Sequence, residues 1–411
     1  MGALTHLRVL DLTRVLAGPW ASQILGDLGA DIIKIERPGQ GDDTRAWGPP
    51  WMDVPHQESM PQSAYFAGAN RNKRSMAVDL SSQEGRQIVS QLAAESDVVI
   101  ENFKVGDLKK YGLDYASLCE ANPRIVYCSI TGFGQSGPYA ERPGYDLLIQ
   151  AMGGLMSITG RPDEETGGGP LKVGVAVADI LTGLYATVGI LAALAERDRS
   201  GIGQHIDVSL LDVQVATLAN QAMNYLATGE QPRRYGNAHP NIVPYQDFPT
   251  SDGYVVVAVG NDGQFARFCD ALGAPEWADD PRFRTNTARL ASRQVLISLI
   301  SQRMRENPSS HWLRVLTDHA VLCGQVNELR EVFDHPQVIH RKMKVPIPGC
   351  TETEAAMVGS PLHMSRTGVE YRRAPPTLGA HTHEVLSTVL GLNPETIDGL
   401  RQRGVIGLHE A

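Results

Sequence analysis

Leu7-Arg-Val-Leu-Asp-Leu12, Thr13-Arg-Val-Leu-Ala-Gly-Pro19, Trp20-Ala-Ser-Gln-Ile-Leu-Gly-Asp-Leu28, Gly29 and Asp31-Ile-Ile-Lys-Ile-Glu36 follow one another near the start of the chain. An apolar run of strand length, a turn-rich loop, a helical pattern, a glycine stop and a second apolar run ending in an acid together predict a βαβ unit. The alternation continues. Ser81-Ser82-Gln83-Glu84 has the form of a capping box before a helix over Gly85–Ala94, and strand patterns follow at Val98–Glu101 and Arg124–Ile130. The first two hundred residues thus predict an open, mostly parallel α/β sheet of the Rossmann-like kind, with ligands at the carboxyl ends of its strands.

Further along, the apolar stretch Val173–Ala195 is interrupted by Asp179, which favours a buried core segment over a membrane span. A polar turn at Arg197–Gly203 leads into a strand at His205–Val208 and a helical pattern through Ala227. A boundary falls near Gly229–Arg234. Beyond it, a strand at Gly253–Gly260 and helical patterns at Gln264–Leu272, Val295–Arg305 and Ser310–His319 predict a smaller α+β domain. Prolines at 346, 348, 375 and 376 punctuate a return segment that ends in helical patterns over 383–391 and 394–403. The 411 residues carry 37 Lys and Arg against 46 Asp and Glu, a net charge of −9 that disfavours nucleic acid as a partner. Five cysteines at 119, 128, 269, 323 and 350 contain no C-x-x-C pair, so neither a structural zinc site nor a disulfide framework is expected. The N-terminal residues run at once into a strand pattern, and the expectation is a reduced, cytoplasmic protein without membrane association.

Glu36 stands where a ribose-binding acid would sit, but the loop before the helix offers the single glycine Gly18 where a dinucleotide fingerprint needs three, so a nicotinamide oxidoreductase is disfavoured. Arg37, the cluster Arg71-Asn-Lys-Arg74 and Lys104, Lys109 and Lys110 flank predicted strand ends and suit a ligand with several phosphates, although a solvated charged face has the same spacing. Asp179 lies between an apolar strand-like run and an apolar helix-like run. It reads as a helix N-cap whose carboxylate the first-turn amides keep ionised, ready to attack a carbonyl. Neither G-x-S-x-G nor G-x-x-x-x-G-K-[ST] occurs, and His381 and His383 read as surface or capping residues.

The motifs Leu10-Asp-Leu-Thr-Arg-Val-Leu-Ala-Gly-Pro19, Leu28-Gly-Ala-Asp-Ile-Ile-Lys-Ile-Glu-Arg-Pro-Gly39, Gly41-Asp-Asp-Thr-Arg-Ala-Trp47, Asn72-Lys-Arg-Ser75, Glu101-Asn-Phe103 and the Asp179 segment ending at Leu194 occur in this order. With them the chain resembles the class III CoA-transferase family over nearly its whole length. The resemblance implies that Asp179 is the catalytic carboxylate. It implies that Leu16, Ala17, Arg37, Val78, Asp79, Leu80, Ser81, Asn102, Phe103, Lys110 and Tyr145 hold coenzyme A, with Lys110 replacing an arginine found in some members. Trp47 and Tyr145 match positions near the acyl group. CoA is then a substrate, and no permanently bound cofactor or metal is implied. The implied assembly is an interlocked homodimer of ring-like chains. The expected division is 1–200 for the N-terminal part of the large CoA-binding domain, 201–230 for a linker helix, 231–342 for the small domain, and 343–411 for the return segment and C-terminal part of the large domain.

The reaction implied begins with attack of the Asp179 carboxylate on an acyl-CoA carbonyl, giving an aspartyl anhydride and CoA thiolate; the thiolate returns to form an aspartyl-CoA thioester, and an incoming acid reverses the sequence. A racemase relative would place a histidine where this chain has Tyr145, and a neutral phenol is a poor base near pH 7. A silent CoA-binding module, in which Asp179 only caps a helix, is the alternative of a different class. The segments 41–50, 127–132 and 236–246 resemble most the branch that moves CoA from succinyl-CoA to a dicarboxylate such as glutarate. A second, buried substrate carboxylate would need a cation, for which Arg45, Arg71 and His239 are the candidates, although each also has a structural reading, Arg45 paired with Asp42 or Asp43 and His239 ordering its own loop.

Overall fold

The opening segment folds as β1 (Arg8–Asp11), α1 (Ala17–Asp27) and β2 (Asp31–Glu36) in the computed structural model, which describes residues 2–52, 62–351 and 353–408. β3 (Lys73–Val78), β4 (Val98–Glu101), β5 (Val126–Thr131), β6 (His205–Ser209) and the short β7 (Ile406–Gly407) complete a seven-stranded sheet in the order β7-β3-β2-β1-β4-β5-β6. All neighbours are parallel except β7, which runs antiparallel to β3. From β3 to β6 this is the doubly wound order, and the direction of winding reverses between β1 and β4, where such sheets open a crevice for ligands.

Alternation along the strands assigns each side chain to a layer. Leu10, Ile33, Ile35, Met76 and Val78 face α2 (Gln83–Ala94), which contributes Ile88, Val89 and Leu92, together with two helices from the far end of the chain. Val9, Ile32, Val98, Ile100, Val126 and Cys128 face α1 on the other side. Between α2 and the end of the chain lie α3 (Asp146–Met152) and α4 (Val177–Ser200), and Ala186, Ile190 and Ala193 of α4 join the α1 layer. The C-terminal pair is α5 (Thr382–Thr388) and α6 (Pro394–Gln402), which bury Val385, Leu386, Ile397 and Leu400 in the α2 layer. By length and composition α4 is apolar enough to cross a membrane, but it packs as a core helix along one side.

Contacts divide the chain into one unit of Met1–Leu155, Val173–Met223 and Pro336–Ala411 and a second of Met156–Lys172 and Asn224–His335. The second has a three-stranded antiparallel sheet (Tyr245–Pro249, Tyr254–Ala258, Leu322–Gln325) covered by helices Asp262–Ala271, Arg293–Met304 and Ser309–Asp318, around Phe248, Phe265, Phe268 and Trp312. Three boundaries differ from the sequence expectation. Residues 156–172, read as part of the large domain, belong to the second unit, where the guanidinium of Arg234 holds the carbonyls of Ser157 and Arg161 at 3.1 and 3.3 Å and pairs with Asp163. The linker read over 201–230 is divided, 201–223 belonging to the sheet unit, because β6 is one of its strands, and 224–230 to the second unit. Residues 336–342, read as small domain, also belong to the sheet unit.

Local boundaries shift too. α1 begins at Ala17, earlier than the pattern suggested, because Pro19 fits the first turn, where a missing N–H breaks no helical bond. The helical pattern through Ala227 is broken at Ala219, whose φ of 48° separates Leu210–Ala216 from Ala219–Thr228.

The return of the C-terminal segment into the α2 layer is testable. Ile397 is fully buried there, and Ile397→Ala should cost about 2–4 kcal/mol in the urea unfolding of the sheet unit, read by circular dichroism.

Candidate functional site

The crevice at the β1/β4 reversal is built from the loops that leave the carboxyl ends of the strands. Arg14, Val15, Leu16 and Ala17 come from the loop after β1; Asn102, Phe103, Lys104 and Val105 from the loop after β4; Thr131 and Gly132 from the end of β5; and Arg142 to Tyr145 from the approach to α3. Asp179 closes one wall. Asn102 stitches two of these loops together: its Oδ1 accepts the Arg14 amide at 2.9 Å, and its Nδ2 donates to the Arg14 carbonyl at 2.7 Å. A second cleft shares Arg14 and Phe103 with the first and runs over the ends of β2 and β3, lined by Arg37, Asp42, Val78, Asp79, Leu80, Ser81 and Tyr111.

Asp179 is in the first turn of α4, whose N-cap position is Ala176. This corrects the expectation that Asp179 caps the helix. The capping acceptor comes from another element: Asp146 Oδ1 accepts the amide of Ala178 at 2.9 Å, while its Oδ2 accepts from Gln150 Nε2 at 2.7 Å. Gln150 Oε1 in turn accepts the Val173 amide at 2.9 Å, so α3 fixes the chain entering α4 at two points. With the cap supplied by Asp146, the Asp179 carboxylate has no hydrogen-bond or ion-pair partner among the described residues. Burial, reinforced by the charge of Asp146, pushes its pKa up to about 7. The expectation that helix amides hold it ionised is therefore also corrected: desolvation and a like charge outweigh the helix terminus. Tyr65 lies near enough for the charges of Asp179 and Asp146 to add to burial in raising its phenol pKa, and its ring meets Trp47 edge-on at 5.1 Å.

Leu16, Ala17, Asn102, Phe103 and Tyr145 lie with Asp179 in the first cleft, and Arg37 and Val78 to Ser81 lie in the second. Trp47 lines neither cleft and meets Tyr65 edge-on. Lys110 lines neither cleft; it is exposed and paired with Asp107 at 2.7 Å. Two of the cations proposed for a substrate carboxylate are taken. Arg45 forms a two-pronged pair with Glu36, both contacts at 2.7 Å, and Arg71 forms one with Asp27 at 2.8 and 2.6 Å. Each guanidinium thus neutralises a buried carboxylate of its own. His239 lies in the second unit, where its Nδ1 accepts the Asn241 amide at 3.0 Å and orders its own loop. His381 occupies the N-cap position of α5, the capping place that is one of its two readings from sequence; it is half-buried, and its Nδ1 accepts the Ser75 amide at 3.2 Å.

Three residues at the site escaped the sequence reading. Tyr65 sits in a short helix, Ala64–Ala67, with no motif to mark it. Asp146 follows directly on Tyr145, and its capping role depends on the distant amide of Ala178. Arg142 lines the cleft and stacks on Phe133 and Tyr139 at 5.6 and 4.5 Å, with no carboxylate partner among the described residues.

An open doubly wound sheet, a cleft at its reversal point and an unpaired carboxylate beside two loops suited to a phosphate-bearing ligand agree with the comparisons to known proteins. The sequence model of CoA-transferase family III matches residues 4–382, and the chain belongs to that family. It is 51% identical over 384 residues to a succinate–glutarate CoA-transferase of Agrobacterium fabrum, covering 93% of this chain and 95% of that one. It is 43% identical to the succinyl-CoA:glutarate CoA-transferase of Homo sapiens, covering 99% and 90%. The crystal structure of a CAIB/BAIF family protein from Brucella suis superposes with a TM-score of 0.83 at 48% identity, covering 94% and 99%.

The charge of Asp146 gives a measurable consequence. A carboxylate with a pKa of about 7 is part-protonated near neutrality, so any reaction that needs the Asp179 anion should rise about tenfold in rate per pH unit below 7 and level off above it. Asp146→Asn keeps an acceptor for the Ala178 amide and removes the like charge, so the acid limb of the kcat/KM profile should move to lower pH.

Proposed function

We propose that this CoA-transferase moves CoA from succinyl-CoA to glutarate, with Asp179 as the nucleophile. The observation that carries the reading is the Asp179 carboxylate, partly buried and uncommitted in the first cleft. One carboxylate oxygen attacks the thioester carbonyl and CoA leaves as thiolate. The thiolate then attacks the aspartyl carbonyl of the mixed anhydride and expels succinate, leaving an aspartyl-CoA thioester. Glutarate attacks that carbonyl in turn, and the returning thiolate takes the glutaryl group, so Asp179 is regenerated as a carboxylate. Every step exchanges one acyl partner for another at the same carbonyl chemistry, and no cofactor enters.

The binding surfaces divide between the clefts. Arg37 at the open end of the second cleft suits the phosphates of CoA, and Phe103, shared by both clefts, suits the thread of the pantetheine arm between them. With Arg45 and Arg71 engaged elsewhere and Arg14 paired with Asp43 at 3.2 Å, Arg142 is the guanidinium in the Asp179 cleft without a carboxylate partner among the described residues, and it suits the second carboxylate of a dicarboxylic acid. Succinyl-CoA mixed with glutarate should give glutaryl-CoA by mass spectrometry of the acyl-CoA pool, and Asp179→Ala should abolish the exchange. Arg142→Ala should raise the KM for glutarate about tenfold or more with a smaller change for a monocarboxylic acceptor. Normal turnover by Asp179→Ala would overturn the assignment.

The same reading extends to a homodimer. Leu184, Tyr185 and Val188 form one side of α4 and are 42, 48 and 62% exposed, a continuous apolar strip of the kind that a second subunit covers. Sedimentation equilibrium should return twice the 44.6 kDa chain mass; a single-chain mass at micromolar concentration would refute the dimer.

A further inference from the structure

Val15 stands at the centre of the loop after β1 with φ of 71°, a left-handed backbone that a β-branched residue rarely adopts. Side chains from two strands, β1 and β2, and from the loops after β2 and β4 hold the main chain on both sides of it. Thr13 donates its amide and its hydroxyl to Asp11 Oδ1 at 2.9 and 2.5 Å. The Arg14 amide and carbonyl are both taken by Asn102. The Val15 amide donates to Asp42 Oδ1 at 3.2 Å. Behind them lies Lys34, whose Nζ donates to the Thr13 carbonyl at 2.7 Å and to Asp42 Oδ2 at 2.9 Å. The side chains of Lys34 and Asp42 are both fully buried. The next two residues in the chain, Leu16 and Ala17, line the cleft with Asp179, whereas Lys34 lines neither cleft.

We propose that Lys34 is a positioning residue for CoA transfer: paired with Asp42, it holds Val15 in the left-handed region and so sets Leu16 and Ala17 on the wall of the Asp179 cleft. β2 is otherwise apolar on both faces at Ile32, Ile33 and Ile35, and a buried ion pair adds little stability over a well-packed apolar pair. Stability therefore gives small reason for a lysine at 34. Geometry gives a larger one, because Nζ joins the loop carbonyl to the carboxylate that receives the Val15 amide. If that joint is lost, Val15 relaxes toward the extended region that valine prefers, and the chain direction at Leu16 and Ala17 turns with it. The inference takes the cleft as the site of transfer and so rests on the function proposed above.

A double-mutant cycle separates this role from a general loss of stability. Glycine adopts a left-handed backbone without steric cost, so Val15→Gly removes the strain that the clamp opposes. Lys34→Met should lower kcat/KM for exchange at least about tenfold. The loss caused by Lys34→Met should be about fivefold or more smaller when Val15→Gly is also present. All four proteins are compared at a temperature where near-ultraviolet circular dichroism reports them folded, and the CoA dissociation constant is measured by calorimetry in parallel. An equal loss in both backgrounds, or a loss that only follows the melting temperature, overturns the proposal. Should Lys34→Met not fold, Asp42→Asn takes its place, since it keeps an acceptor for the Val15 amide but loses the charge that holds Lys34. Should the parent bind CoA yet exchange no acid, the transfer reading fails, and the same cycle in CoA affinity still decides the clamp.

Discussion

A charge placed inside a protein must find its counter-charge there, and β1, β2 and β3 carry an unusual number that do. Asp11 pairs with Lys73 at 3.1 Å and Lys34 with Asp42 at 2.9 Å, all four side chains fully buried, while Glu36 pairs with Arg45 and Arg71 with Asp27 close by. Burial alone would raise the carboxyl pKa of Asp11, but Lys73, Lys34 and the hydroxyls of Ser22 and Thr13 outweigh it and hold the group well below the usual range. The cost appears on Lys73, whose ammonium burial pushes down to about 8 against the pull of Asp11. Such pairs contribute modestly to net stability, yet removal of either partner leaves an ion without solvent or counter-charge. They tie together the loop after β1, the loop after β2 and the start of β3. The cleft walls depend on those ties.

Asp179 is the exception to this pairing. It sits in the first turn of α4, where a carboxylate is ordinarily welcome, but the cap is supplied by Asp146 and no cation among the described residues pairs with it. Its pKa of about 7 follows from that exclusion. A carboxylate solvated by a cation would be a weak nucleophile, because attack on a thioester would first break the ion pair. One held by burial and by a like charge is destabilised as an anion, and that cost is relieved when the charge is lost in acyl transfer. The pairing of nearly every neighbouring charge and the isolation of this one are two sides of one electrostatic arrangement.

Much of the fold was legible because parallel strands buried on both faces write their length directly into the sequence. β1, β2, β4 and β5 coincide with apolar runs, and the helix after β2 and β3 begins where Ser82 caps it by accepting the Gly85 amide. The loops could be placed but not resolved. Arg45 and Arg71 read as candidate cations for a substrate, with Asp42 or Asp43 as the alternative partner of Arg45, because their actual partners Glu36 and Asp27 are 9 and 44 residues away. Asp179 read as a helix cap because the first turn of α4 begins two residues before it, a shift that apolar spacing does not detect. Tyr65 left no trace at all, since its nearness to Asp179 depends on how the short helix Ala64–Ala67 is placed relative to α4.

The sequence by itself determined the family and the winding of the sheet and singled out Asp179, because each rests on local apolar spacing or on short motifs in fixed order. The tertiary structure decided what surrounds that residue. Which carboxylate caps α4, which arginines are already engaged and what holds Val15 in a left-handed backbone all depend on groups far apart in the chain. Electrostatic energy in a low-dielectric interior is set by distance in space, and separation along the sequence does not report it.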